Sequence, residues 1–236
     1  MANPYFQFKQ FTVWHDRCAM KVGTDAVLLG AWMKVEGARR MLDIGCGCGL
    51  IALMAAQRNG EGRVVAVEID AEAASQAQEN VDKSPWTNRI EVVQTDICTF
   101  QSEEKFDVIF SNPPYFVDSL KCPDKQRSKA RHTDTLGFDD LMRCAASLLS
   151  ADGEVSVVVP MEAALPLKAA AISYRLYLSR ETHVFTKPSS SAKRALLAFK
   201  PMLPEEPVFP QTLVLHSSSG EWGEEYKRMV NDFYLW

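Results

Sequence analysis

From residue 40 onward, short runs of apolar and β-branched residues alternate with longer stretches rich in Ala, Gln, Glu and Leu. MLDIG (41–45), RVVAVEI (63–69), IEVVQ (90–94), FDVIFS (106–111) and EVSVVVP (154–160) have the length and composition of strands. Between them, LIALMAAQR (50–58), AEAASQAQENVDK (71–83) and DDLMRCAASLLS (139–150) have helical spacing. Such alternation predicts βαβ units with right-handed crossovers and a mostly parallel sheet covered by helices on both faces. After a helix-like AALPLKAAAIS come two runs at 175–185 and 194–200, joined by the polar turn TKPSSSAK. They predict an antiparallel pair that closes the sheet. Ahead of the alternation, FQFKQFTVW predicts a small strand pair and TDAVLLGAW a helix. Beyond it, LVLH predicts one more short strand and EEYKRMVNDFY a final helix. No repeat or long linker divides the chain, so one α/β domain is expected over residues 1–236. Within it, residues 1–37 form an extension, 38–200 the core and 201–236 a strand-helix appendage.

Composition adds limits. With 236 residues, 47% hydrophobic and 24% charged, the chain can bury one sizeable core. A net charge of -4 and a pI near 5.6 argue against wholesale nucleic-acid binding and leave room for a local basic patch. MANPYFQFKQF lacks the pattern of a signal peptide and no apolar run is long enough to span a bilayer, so a cytoplasmic location without membrane contact is expected. Six cysteines form no CxxC pair and no zinc spacing, and four histidines are scattered singly. Reduced, structural thiols and no metal are expected.

The first chemical signal stands at the end of the first core strand, in Asp43-Ile44-Gly45-Cys46-Gly47-Cys48-Gly49-Leu50. Alternate glycines allow a tight turn and close approach of a ligand, and the helix that follows offers unpaired N–H groups to a negative group. Cys46 and Cys48 are read as small fillers in this loop. Glu68 and Ile69 end the next strand, about twenty residues on, where a carboxylate can accept both hydroxyls of a ribose. Asp96 and Ile97 follow the third, with Asp96 placed to accept from an adenine amino group. Three such positions in series at consecutive strand ends match the place where open α/β sheets bind ligands.

A second signal is FDVIFSNPPYF, residues 106–116. Neither Pro113 nor Pro114 has an N–H for a central ladder, so the strand stops at Ser111 and a rigid turn presents Asn112 and Tyr115. With Asp43, the three glycines, Glu68, Asp96 and NPPY in order, residues 38–200 resemble the class I S-adenosylmethionine-dependent methyltransferases. The resemblance implies a Rossmann-like, seven-stranded sheet with an antiparallel last strand. It also implies S-adenosylmethionine as cofactor, with Asp43 and the loop of Gly45, Cys46, Gly47 and Gly49 at the methionine moiety, Glu68 and Ile69 at the ribose, and Asp96 with Ile97 at the adenine. Asn112 adjoins both cofactor and substrate.

The physical reading of NPPY is complementary. An exocyclic amine conjugated to a ring is a weak nucleophile, and two fixed acceptors on its hydrogens draw the nitrogen toward tetrahedral geometry. Asn112 supplies a side-chain carbonyl and Pro113 a backbone carbonyl, while Pro114 stiffens the turn. Tyr115 and Phe116 add a flat apolar surface on which a planar target gains about 1–3 kcal/mol.

HDRCAMKVGTDAVLLGAW, SNPPYF, ARHTDTLGFDDLM and EEYKRMVNDFYLW together are similar, nearly end to end, to the bacterial family of valine tRNA (adenine-N6)-methyltransferases, which modify the adenine 3′ of the anticodon. The expected partner is therefore a tRNA anticodon stem-loop, and the protein a monomer or weak homodimer. Lys121, Lys125, Arg127, Lys129 and Arg131 crowd the stretch after NPPYF and suit phosphates, with Lys187, Lys193 and Arg194 extending them from the hairpin turn. Lys21, Gly23, Thr24 and Asp25 admit two readings, as residues at the pocket or, for Thr24 and Asp25, as the cap of a helix. Among other NPPY enzymes, those acting on release-factor glutamine carry an N-terminal domain larger than the 37 residues here, while guanine-N2 methylation of ribosomal RNA stays open on local chemistry.

Overall fold

The computed structural model describes residues 3–114 and 136–236. Two sheets form within them. β1 (Tyr5–Gln7) and β2 (Thr12–Trp14) make a two-stranded antiparallel ribbon. The main sheet has eight strands: β3 (Arg40–Ile44), β4 (Arg63–Glu68), β5 (Ile90–Gln94), β6 (Phe106–Ser111), β7 (Leu149–Pro160), β8 (Tyr177–Phe185), β9 (Ala192–Lys200) and β10 (Gln211–Val214). Their spatial order is β10-β8-β9-β7-β6-β3-β4-β5. Every neighbouring pair is parallel except the two that involve β9, which therefore runs against the rest. β10 is the eighth strand, added along the outer edge of β8 to the seven expected.

The period of the strands sorts side chains onto two faces. Met41, Val108, Phe110, Val158, Leu196 and Ala198 join one apolar cluster, and Leu42, Ile44, Ile109, Val157, Val159 and Leu197 the other. The first face is covered by α1 (Thr24–Trp32), α2 (Leu50–Arg58), α3 (Ala71–Asp82) and α6 (Glu224–Val230), the second by α4 (Phe138–Leu148) and α5 (Met161–Ser173). Full burial on both faces explains why the central strands read as continuous apolar runs.

Two local expectations need correction. The cap of α1 is Gly23, which has no side chain to accept the first N–H groups, so Thr24 and Asp25 lie inside the helix. Asp25 turns instead to Arg194 of β9, whose Nε is 2.7 Å from its Oδ2. The helix expected to run to residue 150 stops at Leu148, because Leu149 already pairs with Phe106. A bulge between Phe106 and Val108 then takes up the residues before Glu154.

Candidate functional site

At the carboxyl ends of β3, β4, β5 and β6 lies a cavity of about 750 Å³, within the ~300–1,000 Å³ of small-molecule sites. It sits where the strand order reverses: β3 leads outward to β4 and β5 on one side and to β6 on the other. A crevice at that point is a consequence of the topology, since crossovers on the two sides cover opposite faces of the sheet.

The floor is the glycine loop. Gly45, Gly47 and Gly49 have φ of 71°, 54° and 79°, the left-handed region that a side chain makes costly. A Cβ at Gly45 or Gly47 would meet nothing within 4 Å, so both leave space over the loop. The loop is tied down from both sides: Gly45 and Cys46 N–H donate to Val67 O at 2.9 and 3.0 Å, and Gly47 N–H donates to Glu68 Oε2 at 2.8 Å. The other oxygen of Glu68 accepts from Asp70 N–H at 3.0 Å, and Asp70 in turn caps α3 through Ala73 N–H. Glu68 is thus fixed by two peptide groups at the cavity wall.

Asp43 is fully buried behind the loop. Its Oδ2 accepts from Ala52 N–H at 3.1 Å, while Oδ1 has no hydrogen-bond partner among the described residues. Burial pushes its carboxyl up to about 8, against the pull of that N–H, and the charge of Glu68 adds to the rise. The thiol of Cys46 is pushed well up by burial and then by Asp43 and Glu68; that of Cys48 is raised by its contact with Cys18 and by burial. Both loop thiols hold their protons.

The far wall is made by Asp96, whose Oδ1 accepts from Cys98 N–H at 2.8 Å, by Ile97, and by Ile69, which is 60% exposed. Asn112 and Pro114 close the side nearest β6, where Ser111 Oγ donates to Ile44 O at 2.7 Å and locks the end of that strand to the start of the loop.

The sequence-predicted residues therefore divide. Gly45, Gly47, Glu68, Ile69, Asp96, Ile97, Asn112 and Pro114 line one cavity, while Asp43, Cys46, Gly49 and Pro113 lie outside that lining. Lys21, Gly23, Thr24 and Asp25 are absent from the lining as well. Tyr115, Phe116, Lys121, Lys125, Arg127, Lys129 and Arg131 lie outside the described residues.

Sequence reasoning missed Asp16, Arg17, Cys18, Ala19 and Met20, a segment after β2 that forms part of the wall. Two buried amides of α3 hold it there. Asn80 bridges Trp14 and Cys48, accepting from Trp14 N–H at 2.9 Å and donating to Trp14 O and Cys48 O at 2.8 and 2.9 Å. Gln76 accepts from Arg17 N–H at 3.1 Å and donates to Asp16 Oδ1 at 2.7 Å. A Gln and an Asn four apart among the alanines of AEAASQAQENVD are the available signal, because buried amides on an apolar helix face need polar partners.

These residues suit S-adenosylmethionine on three observations: a left-handed glycine loop with open space above it, an unpaired buried carboxylate oxygen behind it, and a second carboxylate held on peptide N–H groups. The profile of the methyltransferase small domain family matches residues 18–172. A protein of Phocaeicola vulgatus is 56% identical over 100% of this chain and 99% of its own, and one of Bacteroides thetaiotaomicron 53% identical over the same shares. Both carry the name tRNA1(Val) (adenine(37)-N6)-methyltransferase. A solved structure from Agrobacterium tumefaciens, described as a predicted O-methyltransferase, superposes with a TM-score of 0.70 over 89% of this chain and 96% of that one. At 21% identity it speaks for the fold alone.

Proposed function

This chain belongs to the methyltransferase small domain family, in the branch of tRNA1(Val) (adenine(37)-N6)-methyltransferases, and from that premise we propose how its residues share the work. It methylates N6 of an adenine in tRNA, using S-adenosylmethionine. The target is the adenine 3′ of the anticodon, reached through the anticodon stem-loop in the cytoplasm by a monomer or weak homodimer. Among the described residues, no helix is long and apolar enough to cross a membrane.

One observation carries the assignment of roles: Asn112 and Pro114 share a cavity with Glu68 and Asp96. An acceptor for an amine, Asn112, and carboxylates for a nucleoside thus face one space. When bound, S-adenosylmethionine supplies the electrophilic methyl group. Glu68 takes the ribose hydroxyls, Asp96 and Ile97 frame the adenine, and Asp43 stands behind the glycine loop at the methionine end. The carbonyls of Asn112 and Pro113 accept the two N6 hydrogens of the target and turn the nitrogen lone pair out of conjugation. Ser111, bonded to Ile44 O, keeps that acceptor pair in register with the loop. Pro113 is buried and its φ restricted, so its carbonyl needs little ordering when substrate arrives. Tyr115 and Phe116 provide the stacking surface, and Lys121, Lys125, Arg127, Lys129 and Arg131 the phosphate contacts. Lys187 and Lys193 are exposed at the β8-β9 turn and extend the basic surface, whereas Arg194 is engaged with Asp25.

Incubation with isotopically labelled S-adenosylmethionine and total tRNA from a strain lacking the enzyme, followed by nucleoside mass spectrometry, tests the reading. Labelled N6-methyladenosine in a valine tRNA is the expected product. Label in release factor or ribosomal RNA, with none in tRNA, would overturn the substrate.

A further inference from the structure

Two thiols that methyl transfer does not use meet beside the cavity. Cys98 is exposed and lines the cavity one residue after Ile97. Cys144, buried on α4, brings its Sγ to 3.7 Å from that of Cys98. Arg143, the preceding residue, donates from Nη2 to Cys98 Sγ at 3.6 Å and to Asp140 Oδ1 at 2.8 Å. Cys98 thus offers an accessible sulfur with a guanidinium N–H fixed on it and a second sulfur within reach, the setting in which a thiol meets both an oxidant and a resolving partner. Burial and the neighbouring thiol push Cys144 up to about 12, so it keeps its proton and is shielded from direct oxidation.

From this geometry we infer that Cys98 and Cys144 form a reversible disulfide in response to hydroperoxides, and that the bond lowers affinity for S-adenosylmethionine. The second half of the inference rests on the reading in which Asp96 and Ile97 frame the adenine.

The chemistry closes with a hydroperoxide as oxidant. The Cys98 thiolate attacks the terminal peroxide oxygen; an S–O bond forms, the O–O bond breaks, and the departing hydroxide or alkoxide takes up a proton. Cys144 sulfur then attacks the sulfenic sulfur, S–S forms as S–O breaks, and the proton of Cys144 leaves with the hydroxide as water. Two electrons pass from the thiol pair to the peroxide, and exchange with a dithiol restores both thiols.

Geometry decides which side moves. An S–S bond is about 2.05 Å, so closure draws the sulfurs together by roughly 1.7 Å. α4 is anchored by Leu141, Ala145 and Leu148 in the core and by Asp139, which accepts from Tyr174 O–H at 2.7 Å. Cys98 stands in an exposed turn, and its N–H is bonded to Asp96 Oδ1. The displacement therefore falls on residues 96–98, the segment assigned to the adenine.

Cys18, whose thiol is in contact with Cys48 and donates to Gln76 Oε1 at 3.2 Å, provides the internal comparison. The full chain, reduced and then treated with hydrogen peroxide, is alkylated, digested and analysed by mass spectrometry, with S-adenosylmethionine affinity measured calorimetrically on the same samples. A Cys98–Cys144 cross-linked peptide is expected, with at least a fivefold weaker Kd that dithiothreitol reverses. Cys144→Ser should bind cofactor as the parent does when reduced and yield no such peptide. A link found between Cys18 and Cys48 instead, or no link at all, overturns the thiol pair, and an unaltered Kd in linked protein overturns its effect. The adenine reading is tested separately on reduced Asp96→Ala: an unchanged Kd there overturns that reading, whatever the peptide map shows.

Discussion

At the carboxyl ends of β3, β4 and β5 the acidic side chains are held by peptide N–H groups; across β7, β8 and β9 they are held by Lys, Arg and His side chains. Asp43 takes Ala52 N–H, Glu68 takes those of Gly47 and Asp70, Asp70 takes that of Ala73, and Asp96 that of Cys98. On the other side Glu154 meets Arg180 at 3.0 Å, Glu181 meets Lys168 and His183 at 2.7 Å each, and Asp25 meets Arg194 at 2.7 Å. Arg180 also lies over the Trp32 ring at 3.7 Å. A peptide dipole fixes a carboxylate without cancelling its charge, whereas an ion pair neutralises it. Asp43 holds its proton below about 8, so the negative field of the first region rests on Glu68, Asp70 and Asp96 and suits a ligand rich in hydroxyls, amines and positive charge, while the second is internally paired scaffold.

The largest effect should come at the boundary between the two. Asn112→Ala removes an acceptor aimed at the reacting amine, and kcat should fall roughly 100- to 1,000-fold, about 2.7–4 kcal/mol, as for loss of one preorganised polar group. S-adenosylmethionine affinity measured in parallel should change little. Unchanged turnover would remove Asn112 from the mechanism.

Asp43 gives the next effect, visible as pH dependence. Its carboxyl is pushed up to about 8 in the fold, against an ordinary value of about 3.9. Between those values the native state holds a proton that the unfolded chain has released, so stability falls as pH rises through the window. It is present in full below the lower value and lost on passing the upper one. Asp43→Asn should abolish that slope and, without cofactor, be more stable than the parent above pH 8 by on the order of 3 kcal/mol. Urea titrations from pH 5 to 9 check it; parallel curves for the two proteins would show that Asp43 does not titrate there.

In the scaffold region, Lys168→Met should cost about 2 kcal/mol in urea unfolding, less than a fully buried pair because Lys168 is 28% exposed and His183 still faces Glu181. Burial raises the Glu181 carboxyl, but Lys168 and then His183 outweigh it and hold it below its ordinary value. Its contribution is thus present above the ordinary carboxylate range and lost as pH falls through the folded value. Cofactor affinity should not move; a parallel loss of affinity would break the division between regions. The smallest effect is Glu68→Gln, which keeps the size and one carbonyl of the side chain but removes the charge. Kd for S-adenosylmethionine should rise about tenfold, near 1.4 kcal/mol, and the melting temperature should fall modestly, because an amide NH2 replaces one of the two oxygens that accept from Gly47 and Asp70.

What the sequence revealed follows the same division. The strand runs and the glycine loop were legible because both are local: burial on two faces gives apolar runs, and left-handed backbone calls for glycine. Glu68 and Asp96 were legible because strand ends place them. The wall built from Asp16 to Met20 was not, because Gln76 and Asn80 fix it from about 60 residues away. Nor was the cap of α1, since Asp25 is claimed by Arg194, a partner 169 residues on. Long-range pairing overrode a sound local rule in both places.

β10 covers only the last four residues of β8, pairing Gln211–Val214 with Thr182–Phe185, and it lies four strands from β6. Its own Leu213, with Tyr226, Val230 and Phe233 beyond, closes that end of the core. A chain ending before Gln211 would leave a row of unsatisfied peptide groups beside bared apolar surface, a template for edge-to-edge self-association. The expected cost of losing this last strand is therefore colloidal: a shortened chain should self-associate, which light scattering would detect.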